Sequence, residues 1–198
     1  GCTDIPILCD ADTGFGDELQ TARTSEMFSK AGIAAIHIED QTLSKRCVAH
    51  GGVELISKEA MQRKIRAAVS AKAEPDFMIV ARSDSKEYGI DEVKRRLQAY
   101  LDAGADAVIL SQTYTHEEME SFGREFYGKI IGIAGVAKFD IYNLSLDEYG
   151  KMGFAGMIYP SVAQGAAVRA MEKTLTPLLK EGQMTTEFLR ENIYDIPE

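Results

Sequence analysis

Ile5-Pro6-Ile7-Leu8-Cys9-Asp10-Ala11-Asp12-Thr13-Gly14-Phe15-Gly16 is an apolar run that ends in two carboxylates and two glycines. Residues two apart on a strand share a face, so a strand reaching this far projects Asp10 and Asp12 side by side. Like charges held that close repel unless a cation sits between them, and paired hard oxygen donors suit Mg²⁺ or Mn²⁺. The alternative is local: Asp10 caps the turn and Asp12 caps the helix that follows, both ordinary roles for aspartate.

Outward from this stretch the same unit recurs. A helix closes on a glycine, a short apolar strand follows, and polar residues appear where the strand stops. Lys30-Ala31-Gly32 leads into Ile33-Ala34-Ala35-Ile36-His37-Ile38-Glu39, and Asp102-Ala103-Gly104 into Ala107-Val108-Ile109-Leu110-Ser111-Gln112. Lys151-Met152-Gly153 leads into Ala155-Gly156-Met157-Ile158-Tyr159-Pro160. Glycine just past a helix end supplies a left-handed cap, and nearly continuous apolar strands belong to parallel sheets covered on both faces. With 5–9, 77–81 and 129–134 added, the expectation is six strands. Helical periodicity fills the gaps at 18–31, 57–71, 91–103, 117–126 and 145–152, and again after the last strand at 162–181, where Pro177 is expected to kink or shorten the end.

Strict strand–helix alternation means a parallel α/β fold, either an open doubly wound sheet or a barrel. The polar residues decide between them. Asp10 and Asp12, Glu39 and Asp40, Arg82, and Ser111 with Gln112 all follow the carboxyl ends of successive strands. So many strand ends converging on one place is what a TIM-type (β/α)8 barrel provides, whereas an open sheet gathers mainly two at its switch point. Six units are two short of eight, so an N-terminal portion carrying two strands is expected to be missing. The reading is therefore one partial barrel domain over 1–198, with an aperiodic loop at 41–56 whose Gly51 and Gly52 would let it open and close. A helical tail at 183–198 is expected to pack on another subunit.

Composition narrows the function. The 198 residues carry 22 basic and 31 acidic side chains, a net charge of −9, which gives no support to a nucleic-acid or anionic-membrane surface. No apolar run approaches a membrane span, and nothing at the start resembles a signal peptide. Cys2, Cys9 and Cys47 are too few and scattered for a disulfide framework, which suits a reducing cytoplasm.

Three further groups bear on chemistry. Glu39 ends the strand next to the Asp10–Asp12 turn and would make a third carboxylate at the rim, or else a simple cap with an ion pair to the loop. Cys47 follows Lys45 and Arg46, cations that favour thiolate, so it suits an acid–base or nucleophile; the ordinary fate of a free cysteine is burial as a small apolar residue. Arg82 closes its strand at the same rim, placed to clamp a carboxylate or phosphonate, with a surface ion pair to Asp84 as the alternative. His37 reads as a core or supporting histidine, His50 lies in the loop, and His116 reads as helix surface. No glycine-rich phosphate loop is present.

Together, Asp10-Ala11-Asp12-Thr13-Gly14-Phe15-Gly16, His37-Ile38-Glu39-Asp40-Gln41, Lys45-Arg46-Cys47 and Ala81-Arg82-Ser83-Asp84 resemble the isocitrate lyase and phosphoenolpyruvate mutase superfamily. Order and spacing agree over nearly the entire chain, and the Lys-Arg-Cys loop is most similar to the methylisocitrate lyase and dimethylmalate lyase branch. The resemblance implies a barrel whose C-terminal helix is swapped within a homodimer or homotetramer. It implies Mg²⁺ held by Asp10, Asp12 and Glu39, directly or through water. Cys47 would be the acid–base beside Lys45 and Arg46, and Arg82, Gln112, Thr13 and Gly14 would bind a small carboxylate substrate. The implied reaction is cleavage of a carbon–carbon bond in a 2-hydroxy or 2-oxo di- or tricarboxylate, such as a substituted malate or methylisocitrate, through an enolate. Phosphonate chemistry of the phosphonopyruvate hydrolase or phosphoenolpyruvate mutase type is the alternative within the superfamily, and a catalytically inactive binding barrel is the alternative outside enzymes. The chain departs from the lyase pattern at Val48-Ala49-His50, at Ser111-Gln112 and at Gly135-Val136-Ala137. These departures move the expected substrate toward a smaller or less charged acid.

Overall fold

A computed structural model describes residues 4–112, 114–134 and 144–192. Helix starts follow from short polar side chains placed just ahead of amphipathic runs. The Asp17 carboxylate accepts from the Leu19 N–H at the start of α1 (Glu18–Lys30), and the Ser57 hydroxyl accepts from Ala60 N–H at the start of α2 (Lys58–Ala71). After α3 (Ile90–Asp102), Thr115 and Ser145 open α4 (His116–Glu125) and α5 (Leu146–Met152) with reciprocal capping boxes to Glu118 and Glu148. Where α5 ends, Gly153 has φ +105° and packs so close to the Gly123 carbonyl that a β-carbon would lie 2.3 Å from it. Only glycine turns the chain there.

Between the helices run β1 (Leu8–Asp10), β2 (Ala35–Glu39), β3 (Met78–Ser83), β4 (Ala107–Leu110), β5 (Ile130–Ile133) and β6 (Phe154–Ile158). They form one sheet in chain order, every neighbouring pair parallel. This is a parallel α/β half-barrel of six strands. Its first strand begins later than the apolar pattern suggests, because the ladder with β2 starts at Leu8↔Ala35; Ile5 and Ile7 precede it and are exposed.

The pleat separates two environments. Ile36, Ile38, Ile79, Ala81, Val108 and Leu110 point outward into the large core shared with the helices. Ala35, Val80, Ala107 and Ile109 point to the other face and form a smaller cluster. The same parity puts His37, Glu39 and Arg82 on that inner face, above the aliphatic layer.

Residues 1–158 form one compact unit and 159–198 a second. The second comprises α6 (Val162–Glu181), which runs through Pro177 without being shortened, and α7 (Thr186–Asn192). Among the described residues, no helix is long and apolar enough to cross a membrane. The departure expected at Gly135-Val136-Ala137, Cys2 and the end of the 183–198 tail lie outside the described residues.

Candidate active site

The turn after β1 is tighter than an extended strand. Asp12 has φ +49° and Phe15 φ +60°, left-handed conformations unusual for side-chain-bearing residues. Asp10 Oδ1 accepts from the Asp12 N–H at 2.8 Å, and the Gly14 N–H donates to the Ala11 carbonyl at 2.7 Å. Asp10 therefore does cap its turn, and the α1 cap is Asp17 rather than Asp12. The expected pairing of Asp10 and Asp12 on one strand face is not what holds them together, since Asp12 lies beyond the strand. A β-carbon on Gly14, at φ +81°, would sit 2.5 Å from Thr21 Oγ1, so this position also demands glycine. From behind, the buried Lys64 ammonium donates to the Thr13 carbonyl, and Thr24 Oγ1 donates to that of Gly14 at 3.3 Å.

The neighbouring strand ends supply the rest. Glu39 is fully buried, pairs in register with Arg82, and neither of its oxygens has a hydrogen-bond partner. Burial pushes its pKa above the usual carboxylate value, while Arg82 pulls it back. Its ionic contacts are Arg82 Nη1 at 3.3 Å and Lys45 Nζ at 3.3 Å. Lys45 reaches in from the 41–56 loop, and its ammonium touches both Asp12 and Glu39. Burial works against that charge, but Asp12 and Glu39 outweigh it and hold the Lys45 pKa above its ordinary value.

Arg82 is committed elsewhere as well. Its Nε and Nη2 fork onto Asp84 at 2.8 and 3.1 Å, making the ion pair with Asp84 a buried one rather than a surface one. Nη1 is the part turned toward Glu39. His37 is buried 3.7 Å from Asp10, and burial pushes its pKa down against the pull of that carboxylate. Beyond β4, Ser111 Oγ donates to the Ser83 carbonyl at 2.8 Å, and Gln112 has φ +74°. Left-handed backbone on Asp12 and Gln112, each just past a strand end, is strain of the kind that gathers at functional sites.

Cys47 is exposed, as are Lys45 and Arg46 around it, followed by a turn of 3₁₀ helix at Val48–His50. Gly51 and Gly52 both have positive φ. His116 begins α4 on the surface, 3.5 Å from Glu120.

Several residues at or behind this site carry signals that pattern reading passes over. Lys64 lies on the buried stripe of α2 with Met61, Ile65 and Ala68, and Arg96 on that of α3 with Val93, Leu97 and Tyr100. A cation on an apolar stripe announces a buried partner. Gln41 and Asp84 sit inside the quoted motifs, yet their roles emerge only in space.

Among the described residues, no three His, Cys, Asp or Glu side chains converge closely enough to ligate an ion by themselves. The donor set nonetheless fits a hard cation. Glu39 presents two buried carboxylate oxygens without hydrogen-bond partners, and the Lys45 ammonium marks a point common to Asp12 and Glu39. Mg²⁺ characteristically takes one or two carboxylates and leaves other positions to water and substrate.

Residues 1–179 match the phosphoenolpyruvate phosphomutase family. The chain belongs to that family. The 2,3-dimethylmalate lyase of Eubacterium barkeri is 37% identical over 177 residues, covering 88% of this chain and 60% of the relative. The 2-methylisocitrate lyase of Salmonella typhimurium is 38% identical over 197 residues, covering 97% and 63%. A crystal structure of 2,3-dimethylmalate lyase, a PEP mutase/isocitrate lyase superfamily member, superposes with a TM-score of 0.83 at 34% identity, over 94% of this chain and 65% of that one. Phosphonopyruvate hydrolase in complex with oxalate and Mg²⁺ superposes at 0.75 with 28% identity, over 96% and 69%. The chain thus spans about three-fifths of the length of the curated relatives it matches.

Proposed function

We propose that the protein is a Mg²⁺-dependent carbon–carbon lyase acting on a small 2-hydroxy or 2-oxo di- or tricarboxylate, a substituted malate or methylisocitrate. The observation that carries this reading is the loop bearing Lys45, Arg46 and Cys47, anchored by the Lys45 ammonium to Asp12 and Glu39 at the strand ends. Cys47 lies two residues beyond that anchor, Arg82 is the penultimate residue of β3 and Gln112 follows the end of β4, and the named relatives are lyases of small carboxylic acids.

Asp10, Asp12 and Glu39 would hold Mg²⁺ or Mn²⁺, directly or through water. The ion would supply stabilisation of the negative charge that develops on a substrate oxygen. Arg82, through the guanidinium edge turned to Glu39, binds a substrate carboxylate, and Thr13, Gly14 and Gln112 complete the substrate contacts. For a 2-hydroxy acid, the hydroxyl loses its proton to solvent and becomes a carbonyl as the carbon–carbon bond breaks. The bond's electron pair stays on the acid fragment, and the Cys47 thiol gives that carbon its proton. Residues 41–56 act as a gating loop that excludes water while the carbanion is exposed.

The wider architecture in this reading is a full TIM-type (β/α)8 barrel in a cytoplasmic homodimer or homotetramer. Val168, Met171, Leu175 and Leu178 recur at helical spacing on α6 and are exposed, which supports a helix swapped onto a partner. Phosphonate chemistry is the second reading, supported by the family description itself.

The test is a turnover screen of the full-length protein with Mg²⁺ on dimethylmalate, 2-methylmalates, methylisocitrate, oxaloacetate and phosphonopyruvate. Release of pyruvate, glyoxylate, propionate or phosphate is followed. Metal-dependent cleavage that falls roughly a hundredfold or more in Cys47→Ser is the expected result. Phosphate release untouched by Cys47→Ser moves the protein to phosphonate chemistry. Ligand binding with no turnover on any substrate makes it an inactive binding barrel.

A further inference from the structure

Gln41 is 2% exposed and is the first residue of the loop that carries Cys47. Its side-chain amide makes hydrogen bonds on every side. Oε1 accepts from the Arg46 N–H at 2.8 Å, Nε2 donates to the Arg46 carbonyl at 3.0 Å, and Nε2 also donates to the Asp84 carboxylate. The amide thus pairs with both backbone groups of one residue, as a neighbouring strand would, at the residue between Lys45 and Cys47. The orientation is unambiguous: Asp84, an acceptor forked on Arg82, must face the NH₂ end, which turns Oε1 to the Arg46 N–H. The stems of the loop are joined separately, by an antiparallel bridge of Gln41 with Leu55 and by the Thr42 N–H on the Glu54 carbonyl at 2.9 Å. Stem pairing closes the loop's base, and the amide ties its reactive segment down to the rim.

We infer that Gln41 is the positioning residue that latches the reactive segment of the loop and so sets where Cys47 stands. The inference rests on the proposed role of that loop and names the contact that holds it. Only a primary amide of this length serves: it offers an acceptor and two donors from one buried group. Glutamate in its place would set a second carboxylate against Asp84 and the Arg46 carbonyl. Methionine fills the volume and makes none of the bonds.

Lys45 and Arg46 are themselves tryptic sites, so the latch can be read without turnover. In Gln41→Met and Gln41→Glu, trypsin nicking at Lys45 and Arg46 should rise about tenfold, with nicking at Lys30 and Arg63 in helices unchanged. Gln41→Asn should fall between these variants and the parent. In the unaltered protein, the Arg46 amide should exchange with solvent deuterium about tenfold more slowly than the Lys45 and Cys47 amides, a measurement that holds even if a variant does not fold. Unchanged nicking at 45–46, a uniform rise at all sites, or an Arg46 amide no slower than its neighbours overturns the latch. Turnover then separates the two readings. In the variants kcat should fall about tenfold with KM little changed. A loosened loop with undiminished turnover leaves the latch standing and sinks the catalytic role of the loop.

Discussion

Glu39 and Asp40 are consecutive, both carboxylates and both fully buried, yet they live in opposite electrostatic worlds. Asp40 turns to the helix side of the sheet, where it accepts from Ser83 Oγ at 2.7 Å, Asp84 N–H at 2.9 Å, Arg96 Nη1 at 3.2 Å and Tyr100 OH at 2.7 Å. Glu39 turns to the inner face, where no donor satisfies either oxygen and two cations stand 3.3 Å away. A buried charge surrounded by fixed donors is architecture: it ties β2, β3 and α3 together and has nothing left to offer a ligand. A buried charge left under-coordinated is maintained at a cost in stability, which is the signature of a group kept for binding. The period of two along β2 puts these two environments on adjacent residues.

The largest effect that would break this comparison is on Asp40. Asp40→Ala removes the acceptor of the Tyr100 hydroxyl and the buried carboxylate paired with Arg96, and should lower unfolding free energy by about 3–5 kcal/mol in urea titration. A loss under about 1 kcal/mol would remove the structural half of the contrast. Glu39→Gln should do the reverse, leaving stability unchanged or slightly higher while metal affinity and turnover fall roughly a hundredfold. Stability loss with intact metal binding, read by calorimetry, would make Glu39 a second Asp40.

A smaller effect sharpens the same rule with a cation. Burial depresses the pKa of Lys64 below its ordinary value, against the pull of Glu18 and Asp17. In the window below the ordinary lysine pKa the unfolded chain holds more protons than the folded one, so this residue makes stability rise as pH climbs toward 10. Lys64→Met should flatten that rise, by on the order of 1 kcal/mol between pH 7 and 10. Identical pH profiles for parent and variant would show that Lys64 is not buried as a charge behind the Asp12 turn.

Much of this protein follows from local pattern. Helices and strands alternate where periodicity switches, the α6 bounds Val162–Glu181 are legible residue by residue, and the carboxyl ends of β1 to β4 carry the polar residues. Apolar period and capping chemistry are short-range properties, so sequence by itself determined the parallel architecture and the rim on which any chemistry sits. The occupants of that rim pair over long sequence distances, and this only the tertiary structure decided. Lys45 on Asp12 and Glu39, Arg82 forked on Asp84, and Gln41 bridging Arg46 to Asp84 each depend on which side chains meet after folding. The Asp12 turn likewise became left-handed because its own carboxylate neighbour, Lys64 and Thr24 hold it there from three elements. Sequence names the donors and acceptors, but burial in the folded sheet chooses their partners, because an unpaired polar group costs little in water and several kcal/mol in the core.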